Sequence, residues 1–437
     1  MKQTRMAAVL ALAAALAVNT TQAGAAEAAE PVPLLLPDPD TAHQVLSETP
    51  TVQAALAARE AARARGEALD TGPYEFELDA VGQRRDVRHE GDYNEWEAGI
   101  SRRLRLPGKA ALDRELGALG NDAAELGIAD AFHGAALELL DGWFGWLDAA
   151  SAVAAAASAR DRLAEERAAV DKRLARGDAA RIDLDLADSA LAGAEAALAE
   201  ARTAAAETSA ALGARYPTLA LPAAPPPIPE PEAPAMDAAA LAAQIVARSH
   251  EIGIAEARYQ QSMKRAQRGE RDRRPDPALG IRTLSERGGD ETAVGLTFNI
   301  PIGGRYRAAE ARALAADAGA AGAELDAVRR QVVAGSRSVT ARMQGSLAAW
   351  QAARRAAEAA DTHAARARRG YQLGETDLFS LLAAERTAQD ARRAEIAARI
   401  AAHRAIARVR VDAHEMWAYH HGHEEDGAAA DEHRHGQ

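Results

Sequence analysis

The feature that most restricts the fold of this chain is an internal repeat of one long pattern. Each half of the 437 residues reads as a helix, two strands, a very long helix, a tight turn and a further helix. The strand pairs end in matching motifs, Leu106-Pro107-Gly108-Lys109 and Ile300-Pro301-Ile302-Gly303-Gly304-Arg305. The later turns centre on Gly177 and Gly374. We therefore predict two copies of one structural unit, over 40–216 and 236–419.

A proline-rich segment, 217–234, separates the two predicted repeats. Proline lacks a backbone N–H and clashes with the preceding helical turn, so this segment cannot be helical and is expected to run as an extended connector. Helical hairpins are predicted on either side of it, at 107–215 and 303–419. The helix that opens each repeat is predicted at about Thr41–Arg65 and at about Asp237–Gly269.

Four short segments alternate between apolar and polar residues, which is the pattern of a β-strand with one apolar face. They are predicted at about 74–81, 93–106, 278–284 and 292–302. The apolar series comprises Tyr74, Phe76, Leu78, Ala80, Trp96, Ala98, Ile100, Leu104, Leu106, Val294, Leu296, Phe298 and Ile300. Segments of about ten residues are long enough to cross a bilayer as tilted strands. Because Arg102 falls on the apolar face, the apolar band is expected to end near it.

Four strands cannot close a barrel that encloses water, and open sheet edges do not survive in lipid. Three copies of the chain would supply twelve strands and close the sheet. The alternative is a pair of soluble hairpins packed on a helical body.

The long helices carry a heptad pattern of leucine and alanine typical of coiled coils. In the first hairpin it includes Leu112, Leu116, Leu119, Leu126, Leu137, Leu184, Leu191 and Leu198. A helix from Lys109 to about Arg176 would reach on the order of 100 Å. That length suits a structure that bridges a wide gap, although a plain antiparallel coiled-coil scaffold fits the helices equally well. His133 lies on the leucine stripe and is predicted to be a packed seam residue.

The amino terminus has the pattern of a secretory signal peptide at 1–25, with Lys2 and Arg5 before an apolar run. The sequence contains no cysteine, so we expect neither disulfides nor a lipid-modified cysteine. No later segment is apolar enough for a transmembrane helix, so any membrane insertion is expected through strands. The formal net charge of −12 argues against nucleic-acid binding. Since no nucleophile, phosphate-loop or dinucleotide motif occurs, we expect no enzyme activity and no cofactor.

These motifs, in this order and spacing, resemble the TolC-like family of outer-membrane efflux proteins over about Asp40 to Tyr419. The second tip contributes Gly370-Tyr371-Gln372-Leu373-Gly374, followed by Leu378, Leu381, Leu382 and Glu385. The Pro-Gly-Lys exit from the second strand is most similar to the cobalt-zinc-cadmium subfamily, which works in heavy-metal efflux.

The resemblance implies a mainly α fold with a small membrane β-barrel, assembled as a homotrimer. A twelve-stranded barrel would lie in the outer-membrane lipid, and a helical tunnel would extend through the periplasm. A periplasmic adaptor and an inner-membrane resistance-nodulation-division pump would be the partners. We expect export of heavy-metal cations such as zinc, cobalt, cadmium or copper. The alternatives are a multidrug or type I secretion channel and, less favoured, a periplasmic coiled-coil adaptor or scaffold.

The resemblance also implies roles for the two hairpin tips. The adaptor would contact Arg173, Leu174 and Gly177 at the first tip and Tyr371, Leu373 and Gly374 at the second. A tyrosine and an aspartate bond to each other at the periplasmic gate of the best-known member, and Tyr371 and Asp183 occupy those positions here.

The family's further gate arginine and carboxylates are replaced here by Thr376, Ser380 and Ala383. The constriction must therefore be built differently. Asp183, Asp185, Asp188 or Asp377 would supply negative charge there, and an acidic ring favours cations. The alternative for these aspartates is an ordinary position on a solvated helix face.

The end of the chain, 420–437, is polar and rich in histidine, and we expect it to be flexible. His420, His421 and His423 precede two glutamates and could hold a metal cation loosely, because imidazole is a good ligand for Zn, Co, Ni and Cu. The alternative is a solvated tail without a binding role.

Overall fold

The computed structural model describes residues 35–419. The predicted signal peptide, 1–25, and the predicted histidine-rich tail with His420, His421 and His423 lie outside the described residues. The prediction of a mainly helical chain with four short strands is confirmed.

Each repeat contains four helices and two strands, one helix more than predicted, and the strand pair and the long hairpin follow in the predicted order. The first repeat consists of α1 (Pro39–Ser47), α2 (Pro50–Thr71), β1 (Phe76–Val87), β2 (Gly91–Arg103), α3 (Lys109–Arg176) and α4 (Arg181–Arg215). The second consists of α5 (Ala238–Arg248), α6 (His250–Asp272), β3 (Ala278–Glu286), β4 (Glu291–Asn299), α7 (Arg305–Leu373) and α8 (Leu378–Asp412). A short 3₁₀ turn, Arg287–Gly289, joins β3 to β4.

The single helix predicted at the start of each repeat is a pair of helices in the structure. In the first repeat Thr49 precedes Pro50, and the ring of a proline forces the residue before it out of the helical conformation. In the second repeat Ser249 has extended backbone angles, φ −64° and ψ 120°. Its side-chain oxygen accepts a hydrogen bond of 3.2 Å from the Ile252 N–H, which caps the start of α6. Both breaks are therefore local effects of sequence.

The four strands form one antiparallel sheet in the order β1-β2-β3-β4. Their bounds differ from the predicted ones by several residues. The β1 strand continues to Val87 because its polar end pairs with the start of β2, which periodicity alone does not detect. The β2 strand ends at Arg103, before the chain turns at Pro107, and β4 ends at Asn299, before Pro301. Proline cannot donate to a strand ladder, which accounts for both early ends.

The helices pack as two antiparallel hairpins, α3 with α4 and α7 with α8. The largest hydrophobic cluster lies where α3 meets α1, α2, the end of α4 and α8, and it is rich in aromatic residues: Phe132, Trp143, Phe144, Trp146, Tyr216 and Trp417. The proline-rich connector lies against α8. There the Arg399 Nη1 donates a hydrogen bond of 3.0 Å to the Ile228 carbonyl. Within residues 35–419, no helix combines the length and the apolar character needed to span a bilayer.

Candidate functional site: an amphipathic sheet and two helical tips

One face of the sheet is apolar across all four strands. In the register of the ladder, Leu78 pairs with Ile100, Ile100 with Ile281, and Ile281 with Leu296. In the single chain these side chains are 80%, 48%, 54% and 87% exposed. A contiguous exposed apolar surface of this kind marks a place where another molecule or a lipid phase covers the protein.

The rows on either side continue the same face. They contain Phe76, Ala80, Trp96, Ala98, Leu279, Val294 and Phe298. The opposite face is polar and includes an ion pair of 3.2 Å between the Arg282 Nη1 and the Glu97 Oε1. Both outer strands, β1 and β4, have an edge with no strand partner among residues 35–419. The sheet is therefore amphipathic and open at both sides.

The apolar face ends at Arg102 on the side nearest the helices. Its guanidinium carbon lies 4.9 Å from the centre of the Phe76 ring, and its Nε donates a hydrogen bond of 3.0 Å to the Tyr74 carbonyl. The cation is thus held at the border of the apolar band by an aromatic ring and a backbone oxygen.

A buried lysine ties the strands of one repeat to the helices of the other. The Nζ of Lys109, the lysine of the Pro-Gly-Lys motif, lies 2.9 Å from the Asp272 Oδ1, the Asp276 Oδ1 and the Arg274 carbonyl oxygen. These three acceptors satisfy all three protons of the ammonium group. This role of Lys109 was not predicted from the sequence. The Pro-Gly-Lys motif drew attention to Lys109, but the residues that accept its hydrogen bonds lie far away in sequence, in the second repeat.

Asp276 is the other centre of this junction. Its Oδ2 accepts a hydrogen bond of 2.7 Å from the Tyr74 hydroxyl, and its Oδ1 accepts one of 2.9 Å from the Leu106 N–H. Burial acts to raise the pKa of this carboxyl, but the hydrogen bonds from Lys109, Leu106 and Tyr74 outweigh burial and hold the pKa below its usual value. The carboxylate is therefore ionised in the folded chain.

A second ion cluster lies beside the first, and sequence reasoning missed it too. Asp113 accepts hydrogen bonds of 2.9 Å from the Arg105 Nη1 and 2.8 Å from the Arg268 Nε. Arg105 also donates to the Leu69 carbonyl, at 2.7 Å. The two clusters together connect the ends of α2 and α6, the strand exits and the start of α3 at the base of the sheet.

At the opposite ends of the long helices, the two hairpin tips have the same turn geometry. Gly177 has φ 81° and Gly374 has φ 76°, a left-handed conformation that glycine adopts without steric cost. The Gly177 N–H bonds to the Leu174 carbonyl at 3.0 Å, and the Gly374 N–H bonds to the Tyr371 carbonyl at 3.1 Å. Glycine therefore ends each helix at equivalent positions of the two repeats.

A contact between Arg173 and Tyr371 joins the two tips. The Arg173 guanidinium carbon lies 4.4 Å from the centre of the Tyr371 ring. Leu174 and Tyr371 both pack against one small apolar cluster formed by the two hairpins. Leu373 is exposed at the end of the second tip. The structure thus brings the predicted tip residues of the two hairpins together.

Asp183, the predicted gate partner of Tyr371, has a local contact. Its Oδ2 accepts a hydrogen bond of 3.0 Å from the Ala180 N–H and so caps the start of α4. Within residues 35–419 of one chain, no hydrogen bond joins Asp183 to Tyr371.

The other aspartates considered for the constriction also have partners. Asp185 lies 3.2 Å from the Arg181 Nε, and Asp188 lies 2.7 Å from the Arg167 Nε. Asp377 caps α8 by accepting a hydrogen bond of 2.8 Å from the Ser380 N–H. Hydrogen bonds from Ser380 lower the pKa of Asp377. In a single chain, two of these three carboxylates are paired with arginine and one is a helix cap.

The described residues contain no group of three or more histidine, aspartate or glutamate side chains arranged to hold a metal ion.

Comparison with known proteins gives a match in fold alone. No protein-family model matches the chain, and no curated protein matches it in sequence. Solved structures do match. The CusC structure, described in terms of folding and transmembrane channel formation, has a TM-score of 0.72 at 14% identity, covering 86% of this chain and 91% of CusC.

Two further solved structures match the fold of this chain. The outer membrane protein VceC of Vibrio cholerae has a TM-score of 0.70 at 15% identity and covers 86% of this chain and 95% of its own. The open state of the MtrE outer membrane channel of Neisseria gonorrhoeae has a TM-score of 0.69 at 15% identity, and the match covers 86% of this chain and 88% of MtrE. The chain thus has the same fold as these outer membrane proteins along most of its length.

Proposed function

We propose that this protein is the outer-membrane channel of a tripartite efflux system. The observation that carries the proposal is the in-register apolar row of Leu78, Ile100, Ile281 and Leu296, which is exposed in the single chain. Lipid would cover this row, while the polar face of the sheet would face water in the lumen.

Two features support assembly as a homotrimer. The edges of β1 and β4 lack partners within the described chain, and such edges are not tolerated in the hydrocarbon core of a membrane. Pairing the β4 of one copy with the β1 of the next removes every edge. Three copies give twelve strands, enough for a barrel with an aqueous interior.

The long helices supply the second part of the channel. A helix such as α3, which has 68 residues, extends over about 100 Å. In a trimer these helices would surround a tunnel that crosses the periplasm. The substrate would pass through it without covalent chemistry, so the protein acts as a conduit and not as an enzyme.

The tips are the proposed contact with the rest of the system. A periplasmic adaptor would bind Arg173, Leu174, Gly177, Tyr371, Leu373 and Gly374, and an inner-membrane resistance-nodulation-division pump would energise transport. We place the periplasmic gate at Asp183 and Tyr371. The contact between Arg173 and Tyr371 supports a coupling of adaptor binding to the gate, because one residue of each tip takes part in it.

Heavy-metal cations are the proposed substrates. The Pro-Gly-Lys motif resembles the cobalt-zinc-cadmium subfamily, and the net charge of −12 suits a cation path. His420, His421 and His423 would add a loose binding site for a transition metal. The competing substrates are drugs, and polypeptides in the case of a type I secretion channel.

Trimer closure can be tested by cysteine cross-linking, because the natural chain has no cysteine. Asp79→Cys on β1 is combined with Ala293→Cys, Gly295→Cys or Thr297→Cys on β4. All four positions lie on the polar face of the sheet. After oxidation in membranes, at least one pair should give covalent dimers and trimers. Single-cysteine variants are the controls and should give no trimer. Monomers from every pair would contradict the proposed closure.

Deletion of the gene distinguishes the substrates. The proposal predicts lower tolerance of zinc, cobalt or cadmium with unchanged tolerance of drugs. Unchanged metal tolerance with lower drug tolerance would contradict the metal assignment and support the multidrug alternative. A monomer released into the soluble fraction by osmotic shock would instead support the coiled-coil scaffold.

A further inference from the structure

Three histidines from distant parts of the chain meet beside the main hydrophobic cluster. His133 lies on α3, His250 begins α6, and His414 follows the end of α8. The His414 ring centre lies 4.9 Å from that of His133 and 4.2 Å from that of His250. His133, expected to be a packed seam residue, is therefore part of a polar cluster that connects the two repeats.

The backbone of His414 is in an uncommon conformation. Its φ is 54°, in the left-handed region that glycine and asparagine favour. The His414 N–H bonds to the Val411 carbonyl at 2.9 Å, and the Glu415 N–H bonds to the Arg410 carbonyl at 2.8 Å, which completes a helix cap. A histidine at this position is less favourable than glycine, which points to a role for its side chain.

Charged groups from several elements surround the three rings. The Asp412 Oδ1 lies 3.4 Å from the His133 Nε2, while the Nδ1 of the same ring is buried without a hydrogen-bond partner. The Arg248 Nη1 donates to the Ala413 carbonyl at 2.8 Å.

The cavities on the two sides of His414 are lined by further titratable groups from α1, α3, α6, α8 and the segment after His414, whereas α7 contributes only uncharged residues. These groups are Asp40, His43, Asp130, Glu251, Arg408, Arg410, Glu415 and Tyr419. Arg258 on α6 acts on Asp130 at longer range.

The surroundings of His414 favour its neutral form. Burial, together with the neighbouring His250 and His133, lowers the pKa of His414 to about 4, although Glu251 and Asp412 oppose this. Burial also raises the pKa of Asp130. Between about pH 6.5 and pH 4, His414 therefore binds fewer protons in the closed arrangement than in an opened one, whereas the raised pKa of Asp130 acts in the opposite direction. By linkage, the contribution of neutral His414 to the stability of the closed arrangement is lost as the pH falls through this window.

We propose that His133, His250 and His414 form a proton-sensitive clasp that fixes the end of the second hairpin to the first repeat. The clasp is closed while the His414 ring is neutral, and it loosens when protonation places a charge on this ring between the other two. It would let the two hairpins move relative to each other in an acidic periplasm. The inference does not depend on which substrate the protein carries.

Hydrogen exchange on the full-length protein tests the clasp. After correction for the intrinsic pH dependence of exchange, amides of 405–413 should exchange about tenfold faster at pH 5 than at pH 7.5 in the wild type. His414→Asn should abolish most of this difference, because asparagine keeps the left-handed backbone but removes the titrating ring. His250→Gln, which leaves that backbone untouched, should also reduce the difference.

The matched control is His403→Gln. His403 lies on the same helix, and burial lowers its pKa too, but its ring bonds to the Pro229 carbonyl at 2.8 Å outside the clasp. This variant should respond to pH like the wild type. An unchanged exchange rate in the wild type, a wild-type response in His414→Asn and His250→Gln, or loss of the response in His403→Gln would each overturn the proposal. If added Zn²⁺ slows exchange of these amides at pH 7.5 in the wild type but not in His414→Asn, the cluster is a metal site and the proposal is overturned.

Discussion

The Lys109 Nζ lies 2.9 Å from the Asp276 Oδ1, and each of these side chains is only 2% exposed. The lysine belongs to the motif that ends the first strand pair, whereas the aspartate precedes the second strand pair. The contact therefore fixes the two halves of the sheet to each other where they join the helices. The buried pair therefore acts as a joint between the sheet and the helices.

Replacing Lys109 by methionine should strongly destabilise the chain, because it leaves the buried Asp276 carboxylate without its cation. Loss of one partner of a buried ion pair lowers the free energy of unfolding by about 3–5 kcal/mol. The measurement is the free energy of unfolding in urea, followed by circular dichroism in detergent.

The control for Lys109→Met is Arg114→Met, which removes an exposed pair of 3.7 Å with Asp70. An exposed pair contributes less than about 1 kcal/mol. Because the pKa of Asp276 is lowered in the folded chain, the effect of Lys109→Met should shrink as the pH falls below the ordinary carboxyl value of about 3.8. Equal unfolding free energies for the two variants at neutral pH would contradict this role of Lys109.

The two faces of β4 should respond oppositely to a charge. Leu296 is on the apolar face, and the adjacent Thr297 is on the polar face. Leu296→Arg should reduce the amount of trimer in the outer membrane, since an arginine facing lipid at mid-depth costs about 2–4 kcal/mol. Thr297→Arg should assemble normally and alter ion selectivity instead. Normal assembly of Leu296→Arg would show that this face does not meet lipid.

The stacking of Arg173 on Tyr371 should help to keep the tips closed. Tyr371→Leu removes the ring, and a loss of about 1 kcal/mol corresponds to roughly a fivefold higher open fraction. Channel recordings of the purified protein should show this increase. Phe379→Leu is the control, because this aromatic side chain is exposed near the same tip. A similar open fraction in both variants would show that Tyr371 does not contribute to the gate.

Much of the fold follows from local sequence signals. Gly177 and Gly374 mark the tips because only a left-handed residue ends a helix in this way, and the alternation in β4 identifies its apolar face. The pattern also gave the correct start of α3 at Lys109.

The remaining features depend on contacts between distant residues. Nothing near Lys109 in sequence indicates that Asp276 neutralises it, and nothing near His414 indicates that His133 and His250 adjoin it. The same is true of Arg173 and Tyr371, which resemblance assigned to two tips without a direct contact. Such juxtapositions arise from packing of the two repeats, which periodicity does not describe.

Single-channel conductance in a planar lipid bilayer tests the central claim most directly. The proposed function predicts discrete conductance steps from the purified wild-type protein, with cations favoured over anions. The cross-linked β1–β4 trimer should retain these steps, because the bond only closes an existing seam. Protein that inserts without conductance steps, or that remains a monomer in solution and never inserts, would contradict the account.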